Sequence, residues 1–156
     1  MSTKLRYFIV IATVILLCIG LVCWLYVDGS QLPLPEGDPI SGYMTRLDIG
    51  FDETDHTATH DTESFAMTDE QIDALLRLLR ASSYRRTRYG SSVGFDGDVV
   101  YTLSLAYQAE GRQEITMISV LDNELINVLV NSSTSSGYLK IIEPDFLPQL
   151  QAILEN

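Results

Sequence analysis

The N-terminal part of the chain is an unbroken apolar run. Residues 7–27 carry no charged side chain and consist mainly of Ile, Val and Leu. At about 1.5 Å per residue, a helix of that length spans about 30 Å, the thickness of a hydrocarbon core. A helix is expected because lipid offers no partner for exposed backbone N–H and C=O groups. The run therefore predicts a transmembrane helix over residues 7–27.

Two kinds of cleaved segment are alternatives to a retained span. A signal peptide has an apolar region of about 7–15 residues before a small-residue cleavage site. The best such site follows Gly29, with Val27 three positions earlier. A lipoprotein signal would place Cys18 or Cys23 after a small residue, whereas both follow larger apolar residues. The length of the run favours a retained helix.

After the run, a Pro- and Gly-rich stretch precedes regular alternation. Residues 28–40 hold three of the five prolines and no periodic pattern, which predicts a semi-extended stalk. Residues 43–51 alternate in polarity like a strand, and residues 58–67 predict the second strand of a hairpin. The pattern thus predicts one folded domain over residues 41–156.

A capping signature and an apolar stripe predict a helix after this hairpin. Thr68 and Gln71 stand at capping-box spacing, and Asp69 and Glu70 follow in the first turn, where the helix dipole favours anions. The stripe has the spacing i, i+3, i+4 and i+7 of one buried face. It consists of Ile72, Leu75, Leu76 and Leu79.

The rest of the chain predicts a strand meander and a closing helix. The β-rich runs, separated by short turns, are residues 84–89, 99–109, 114–120, 124–130 and 138–142. A second amphipathic helix begins at Phe146, and Pro148 is tolerated in its first turn. The order ββα, four or five strands and α predicts a two-layer α+β domain with both helices on an antiparallel sheet.

Charge predicts the orientation of the span and excludes one class of partner. Lys4 and Arg6 precede the span, and no Lys or Arg follows it before Arg46. The positive-inside rule predicts a single-pass plasma membrane protein, with residues 1–6 cytoplasmic and the domain extracytoplasmic. The absence of cysteine beyond Cys23 favours a bacterial protein. The net charge of −11 argues against binding to nucleic acid.

An arginine cluster is the first candidate site. Five arginines without an intervening acid, accompanied by two tyrosines, could bind an anionic ligand or an acidic protein. The cluster consists of Arg77, Arg80, Tyr84, Arg85, Arg86, Arg88 and Tyr89. The alternative is structural, with Arg77 and Arg80 stabilising the helix C-terminus and the others pairing with the acidic hairpin.

The second candidate site is a metal site in the acidic hairpin. His56, His60 and Asp52 share strand parity, and imidazole together with carboxylate can ligate zinc. The alternative is a solvated hairpin turn, because the His56 and His60 spacing aligns two ligands only on a helix. No pattern predicts a cofactor.

The chain lacks the motifs that predict catalysis. It has no GxSxG, no HExxH and no cysteine nucleophile outside the span. We therefore expect no enzyme, but a membrane-tethered extracytoplasmic domain that binds a protein or an anionic cell-surface ligand. The alternatives are an accessory subunit of a larger membrane complex, which would dock through its span, and a metal-dependent sensor.

The layout of the chain resembles that of uncharacterised single-span surface proteins of Gram-positive bacteria. The resemblance is carried by the basic start, the span, the Pro-rich stalk and the stretches MTDEQIDALLRLL and YLKIIEPDFLPQLQAIL. It covers most of the chain as a layout. It implies no activity and assigns no catalytic residue.

Overall fold

The computed structural model describes residues 3–34, 37, 39–52, 57–87, 99–109, 111–131, 134–135 and 137–155. This part of the chain forms three α-helices and nine strands. The helices are α1 (Thr3–Leu25), α2 (Asp69–Ala81) and α3 (Phe146–Leu154). The strands are β1 (Tyr26–Asp28), β2 (Pro39–Asp52), β3 (Thr57–Ala66), β4 (Ser83–Arg86), β5 (Val99–Ala109), β6 (Arg112–Leu121), β7 (Leu125–Val130), β8 (Thr134–Ser135) and β9 (Leu139–Ile141).

Helix α1 contains the apolar run except for its last two residues. Its segment Tyr7–Leu25 is long and apolar enough to cross a membrane, and the rest of the protein buries none of it. The hydroxyl of Thr13 is satisfied inside the helix, where it donates to the carbonyl oxygen of Ile9 at 2.9 Å. The helix ends two residues before the predicted end of the span, because Tyr26 and Val27 pair with β4 as strand β1.

The strands form one antiparallel sheet. Eight of them follow the order β1-β4-β9-β7-β6-β5-β2-β3, and β8 pairs with β7 beside this path. Strands β5, β6 and β7 are joined by consecutive hairpins, whereas α2 connects β3 at one edge to β4 near the other. The predicted α+β class, with its ββα start, strand meander and closing helix, is confirmed, and β1 and β8 are additional strands.

Helices α2 and α3 pack on one face of the sheet and form the main core with it. Helix α2 begins at the predicted capping box: the Thr68 hydroxyl accepts from the Gln71 N–H at 3.2 Å, and the Gln71 side-chain oxygen accepts from the Thr68 N–H at 2.9 Å. The predicted stripe is buried and consists of Ile72, Leu75, Leu76 and Leu79. Helix α3 adds Phe146 and Leu150.

The other face of the sheet is only partly covered. Val100 alternates with Tyr101 along β5, so it projects away from the two helices. It packs in a smaller cluster with Leu121 and Leu125. Away from this cluster, the open face presents side chains to solvent, and the candidate site lies on this face.

Part of the predicted stalk is packed onto the domain. Val27 is 5% exposed, and Leu32 is buried in the same core. The N–H of Gly29 donates to the carbonyl oxygen of Ser82 at 2.9 Å. A Cβ atom at Gly29 would lie 2.6 Å from the carbonyl oxygen of Arg80, so only glycine allows this approach. The glycine that indicated a stalk thus serves close packing against the end of α2.

Candidate functional site

The structure divides the predicted arginine cluster into two groups. Arg77 and Arg80 are exposed on α2, and Arg80 lies in the last turn, where a cation stabilises the helix C-terminus. Arg85 and Arg86 are exposed on β4. Arg88 and Tyr89 lie outside the described residues. The two groups therefore belong to different elements, and the β4 pair is the one that lies beside α1.

Tyr84 does not belong to the predicted surface. Its side chain is 0% exposed, and its hydroxyl donates to the carbonyl oxygen of Leu79 at 2.8 Å. Burial raises the pKa of this phenol above its usual value, because ionisation would leave a charge inside the core. The prediction is wrong for Tyr84, since alternation along β4 directs it toward α2 and directs Arg85 to the open face.

Arg85 stands in a row of cross-strand neighbours on the open face. The register pairs Arg85 with Tyr26 on β1 and with Lys140 on β9, and it pairs Lys140 with Leu125 on β7. Side chains at directly paired positions project from the same face and lie close together. The fold therefore places two cations side by side, an arrangement that destabilises a sheet unless counter-charges compensate it.

The described residues provide one counter-charge for this pair of cations. The ammonium nitrogen of Lys140 lies 3.4 Å from a carboxylate oxygen of Glu124. Among the described residues, no carboxylate oxygen lies within 4.0 Å of the guanidinium group of Arg85. The row therefore carries an excess of positive charge in a chain whose net charge is −11.

Arg86 connects this row to the end of α1. Its Nε donates to the carbonyl oxygen of Trp24 at 3.1 Å, which satisfies one of the carbonyls left unpaired at a helix C-terminus. Its guanidinium carbon also lies 5.7 Å from the centroid of the Trp24 ring, within the range of a cation–π contact. Arg86 pairs with the buried Leu139, so its backbone position alternates with that of Arg85, and its contacts hold the end of β4 against the last turn of the apolar helix.

A groove of about 570 Å³ opens between the end of α1 and the sheet. We call it the basic groove. It is lined by Leu25, Arg85, Arg86, Thr87, Asn123, Leu125 and Lys140. A depression of about 210 Å³ shares Arg85 and Lys140 with it and extends to Tyr26. Guanidinium and ammonium groups form strong charge-assisted hydrogen bonds with phosphate and carboxylate oxygens, so the basic groove is suited to an anion.

Sequence reasoning missed the residues that complete this groove. Lys140 reaches Arg85 only through the pairing of β4 with β9, and Leu25 joins them only because β1 follows α1 directly. One signal was present in the sequence, since Lys140 is the only lysine beyond Lys4. That signal alone does not say which other residues lie beside it.

The described residues do not assemble the predicted metal site. His60 is exposed on β3 and pairs with Ile49, whereas Asp52 pairs with Thr57. Because Asp52 pairs with Thr57, and Thr57 and His60 lie an odd number of positions apart along β3, Asp52 and His60 occupy positions on opposite faces of the sheet. His56 lies outside the described residues, and within the described ones no three His, Cys, Asp or Glu residues are grouped to hold a metal ion.

No protein-family model, no curated protein and no solved structure matches the chain. The resemblance to single-span surface proteins of Gram-positive bacteria therefore stays a prediction.

Proposed function

We propose that this protein is a membrane-tethered binding domain whose basic groove binds an anionic ligand at the membrane surface. The observation that carries the proposal is the direct pairing of Arg85 with Lys140, next to Arg86 and the end of the apolar helix. Opposing like charges on neighbouring strands cost stability. Glu124 offsets the charge of Lys140, and a bound anion would offset the remaining charge of Arg85, which links the unfavourable pairing to ligand binding.

The size and lining of the groove agree with a ligand of small-molecule size. Its volume of about 570 Å³ lies in the range of ligand sites, which extends from about 300 to 1,000 Å³. Arg85 offers a planar set of donors that can bind two oxygens of one anionic group, and Lys140 adds a mobile point charge. Leu25 and Leu125 supply apolar wall on either side of these cations.

The packing of β1 supports a retained anchor as part of the proposal. Cleavage after Gly29 would remove Val27 from the core and break the hydrogen bond from Gly29 to Ser82. It would also remove Leu25 and Tyr26 from the walls around Arg85. Removal of this segment would disrupt the folded domain. A retained membrane anchor therefore fits the structure better than a cleaved signal peptide. The charge distribution supports an extracytoplasmic domain.

Titration of the full-length protein with a soluble anion tests the proposal. The chain is purified in a nonionic detergent, and tripolyphosphate is titrated into it in a calorimeter. We expect saturable binding that weakens as salt is added, because charged contacts are screened. Replacing Arg85 by Glu should weaken binding by about tenfold or more, in line with loss of a hydrogen bond to a charged group.

The matched control is Arg77→Glu, which makes the same charge change at an exposed position on α2. It should leave tripolyphosphate binding unchanged apart from the small effect of net charge. Equal weakening by both substitutions would show that only overall charge matters. That outcome, or the absence of binding by the unmodified protein, would overturn the assignment of the basic groove.

A further inference from the structure

We infer that the ligand of the basic groove is an anionic phospholipid from the membrane leaflet beside the domain. This inference rests on the proposed function and names the ligand for the same site. An anionic phospholipid joins a phosphate group to apolar tails. The lining of the basic groove matches these two parts. Arg85 and Lys140 on the sheet match the phosphate, and Leu25, the last residue of the apolar helix, matches the start of the tails.

The apolar helix sets the depth of the groove relative to a bilayer. The segment Tyr7–Leu25 has 19 residues. At about 1.5 Å per residue it nearly equals the thickness of a hydrocarbon core, so Leu25 lies near the boundary with the headgroups. Trp24 and Tyr26 are 62% and 51% exposed and are of the aromatic types enriched at that boundary. Leu25 is thus flanked on both sides by aromatic residues typical of the boundary between the hydrocarbon core and the headgroups.

The absence of any linker between α1 and β1 brings the cations to the same depth. Strand β1 begins at Tyr26, the residue after the end of α1. Arg85 pairs directly with Tyr26, and neighbouring strands lie about 4.8 Å apart. Arg85 therefore lies in the headgroup layer, where lipid phosphates are concentrated. A soluble anion would have to enter this layer, whereas a lipid phosphate is already there.

The three cations have different parts in this site. Arg86 is held by the Trp24 carbonyl oxygen and ring, so it forms a fixed positive wall. Arg85 has no ion pair among the described residues and can direct two N–H groups to one phosphate. Lys140 can turn from Glu124 toward the same phosphate. The resulting excess of positive charge favours an anionic lipid over a zwitterionic one.

The single tryptophan of the chain provides a direct measurement of this preference. Trp24 is the only tryptophan, and it contacts Arg86. The full-length protein is reconstituted into phosphatidylcholine vesicles that contain phosphatidylglycerol as a minor component. Two preparations are compared, in which either phosphatidylglycerol or phosphatidylcholine carries bromine on the acyl chain near the headgroup. The quenching of tryptophan fluorescence is measured in each. We expect brominated phosphatidylglycerol to quench about fivefold more efficiently per molecule than brominated phosphatidylcholine. This factor corresponds to the attraction of about one basic side chain to an anionic membrane surface.

Three variants make this measurement decisive. Arg85→Glu should abolish the preference for phosphatidylglycerol, and Arg77→Glu should keep it. Arg85→Lys keeps the positive charge and should retain most of the preference, which guards against loss of folding as the cause. Equal quenching by the two lipids in the unmodified protein would overturn the inference.

The calorimetric titration separates this inference from the proposed function. If tripolyphosphate binds in an Arg85-dependent manner while the two brominated lipids quench equally, the groove binds a soluble anion and only the lipid assignment is wrong. If tripolyphosphate does not bind, the assignment of the basic groove fails, and the lipid inference that rests on it fails as well.

Discussion

The two edges of the sheet are built in opposite ways. Strand β1 has three residues, yet Val27 is buried in the core and the following Gly29 is packed against the end of α2. Strand β3 has ten residues, and every side chain over residues 59–64 is exposed. The short edge is therefore integrated into the core, whereas the long edge lies outside it over residues 59–64 and contacts it only through Phe65.

The difference shows that the surroundings of an edge strand matter more than its length. The segment that follows β1 lies against the end of α2. There the Gly29 N–H donates to the carbonyl oxygen of Ser82, and the carbonyl oxygen of Arg80 lies close by. The β2–β3 hairpin instead continues past the last residue pair between β2 and β5, Asp48 with Val99. Asp61 and Glu63 place charges along β3, which discourages pairing with another chain.

A pair of glycine substitutions provides the strongest test of this contrast. Gly29→Ala would place a Cβ atom 2.6 Å from the backbone oxygen of Arg80, which cannot move without displacing the end of α2. Gly50→Ala would meet the hydroxyl of Thr59 at the same distance, but that exposed side chain can rotate away. We expect Gly29→Ala to lower the free energy of unfolding by about 3 kcal/mol and Gly50→Ala by less than about 1 kcal/mol.

Denaturant titration of the full-length protein in detergent measures both variants. A similar, small loss for the two alanines would show that β1 and the turn after it are loosely attached. The contrast between the two edges would then be wrong.

A pair of tyrosine substitutions gives a smaller effect. Tyr84→Phe removes the hydrogen bond to the Leu79 carbonyl oxygen at 2.8 Å and should cost about 1 kcal/mol. Tyr43→Phe on β2 should have almost no effect, because that side chain is 58% exposed. The same titration compares them. A loss for Tyr43→Phe equal to that for Tyr84→Phe would contradict the burial pattern.

Alkaline pH provides an independent readout for Tyr84. Its pKa is raised by burial, so the folded state keeps the phenol protonated at a pH where the unfolded chain ionises it. The stabilising contribution is therefore complete below pH about 10 and is lost as pH rises above that value. Tyr84→Phe should reduce this alkaline loss of stability, and an unchanged pH profile would show that another group is responsible.

The smallest effect concerns the turn that follows β1. The Ser30 hydroxyl donates to the Asp28 carboxylate at 2.6 Å, and the Ser30 N–H donates to it at 2.9 Å. These bonds hold the pKa of Asp28 below its usual value of 3.8. Their stabilising contribution is present above that value and is lost as pH falls through the lowered pKa.

Ser30→Ala removes the stronger of these two hydrogen bonds. It should raise the pKa of Asp28 toward 3.8 in an NMR titration of the carboxyl group. A pKa that did not change would show that the turn after β1 is not formed as described.

Much of the local structure followed from short sequence patterns. The capping box predicted the start of α2, and the predicted run 99–109 coincides with β5. The stretch after the apolar run was predicted to be a stalk, although Gly29 packs on the domain, because glycine is typical both of a linker and of a close backbone approach. Only the presence of the Ser82 carbonyl oxygen behind Gly29 distinguishes the two.

For the candidate site, the sequence alone predicted the cations but not their arrangement. It singled out Arg85 and Arg86 because a run of arginines without an acid can be recognised in the sequence whatever the fold. It also included Tyr84, because the sequence did not determine the face of the sheet from which each side chain of this strand projects.

By itself the sequence determined the apolar helix, the α+β class and the main strands and helices. These depend on periodicity and end signals within about ten residues of one another. The tertiary structure alone decided the strand order, which brings Lys140 beside Arg85, and the docking of Gly29 on α2. Such contacts join distant parts of the chain, and they depend on which surfaces are left to pack once the local elements have formed.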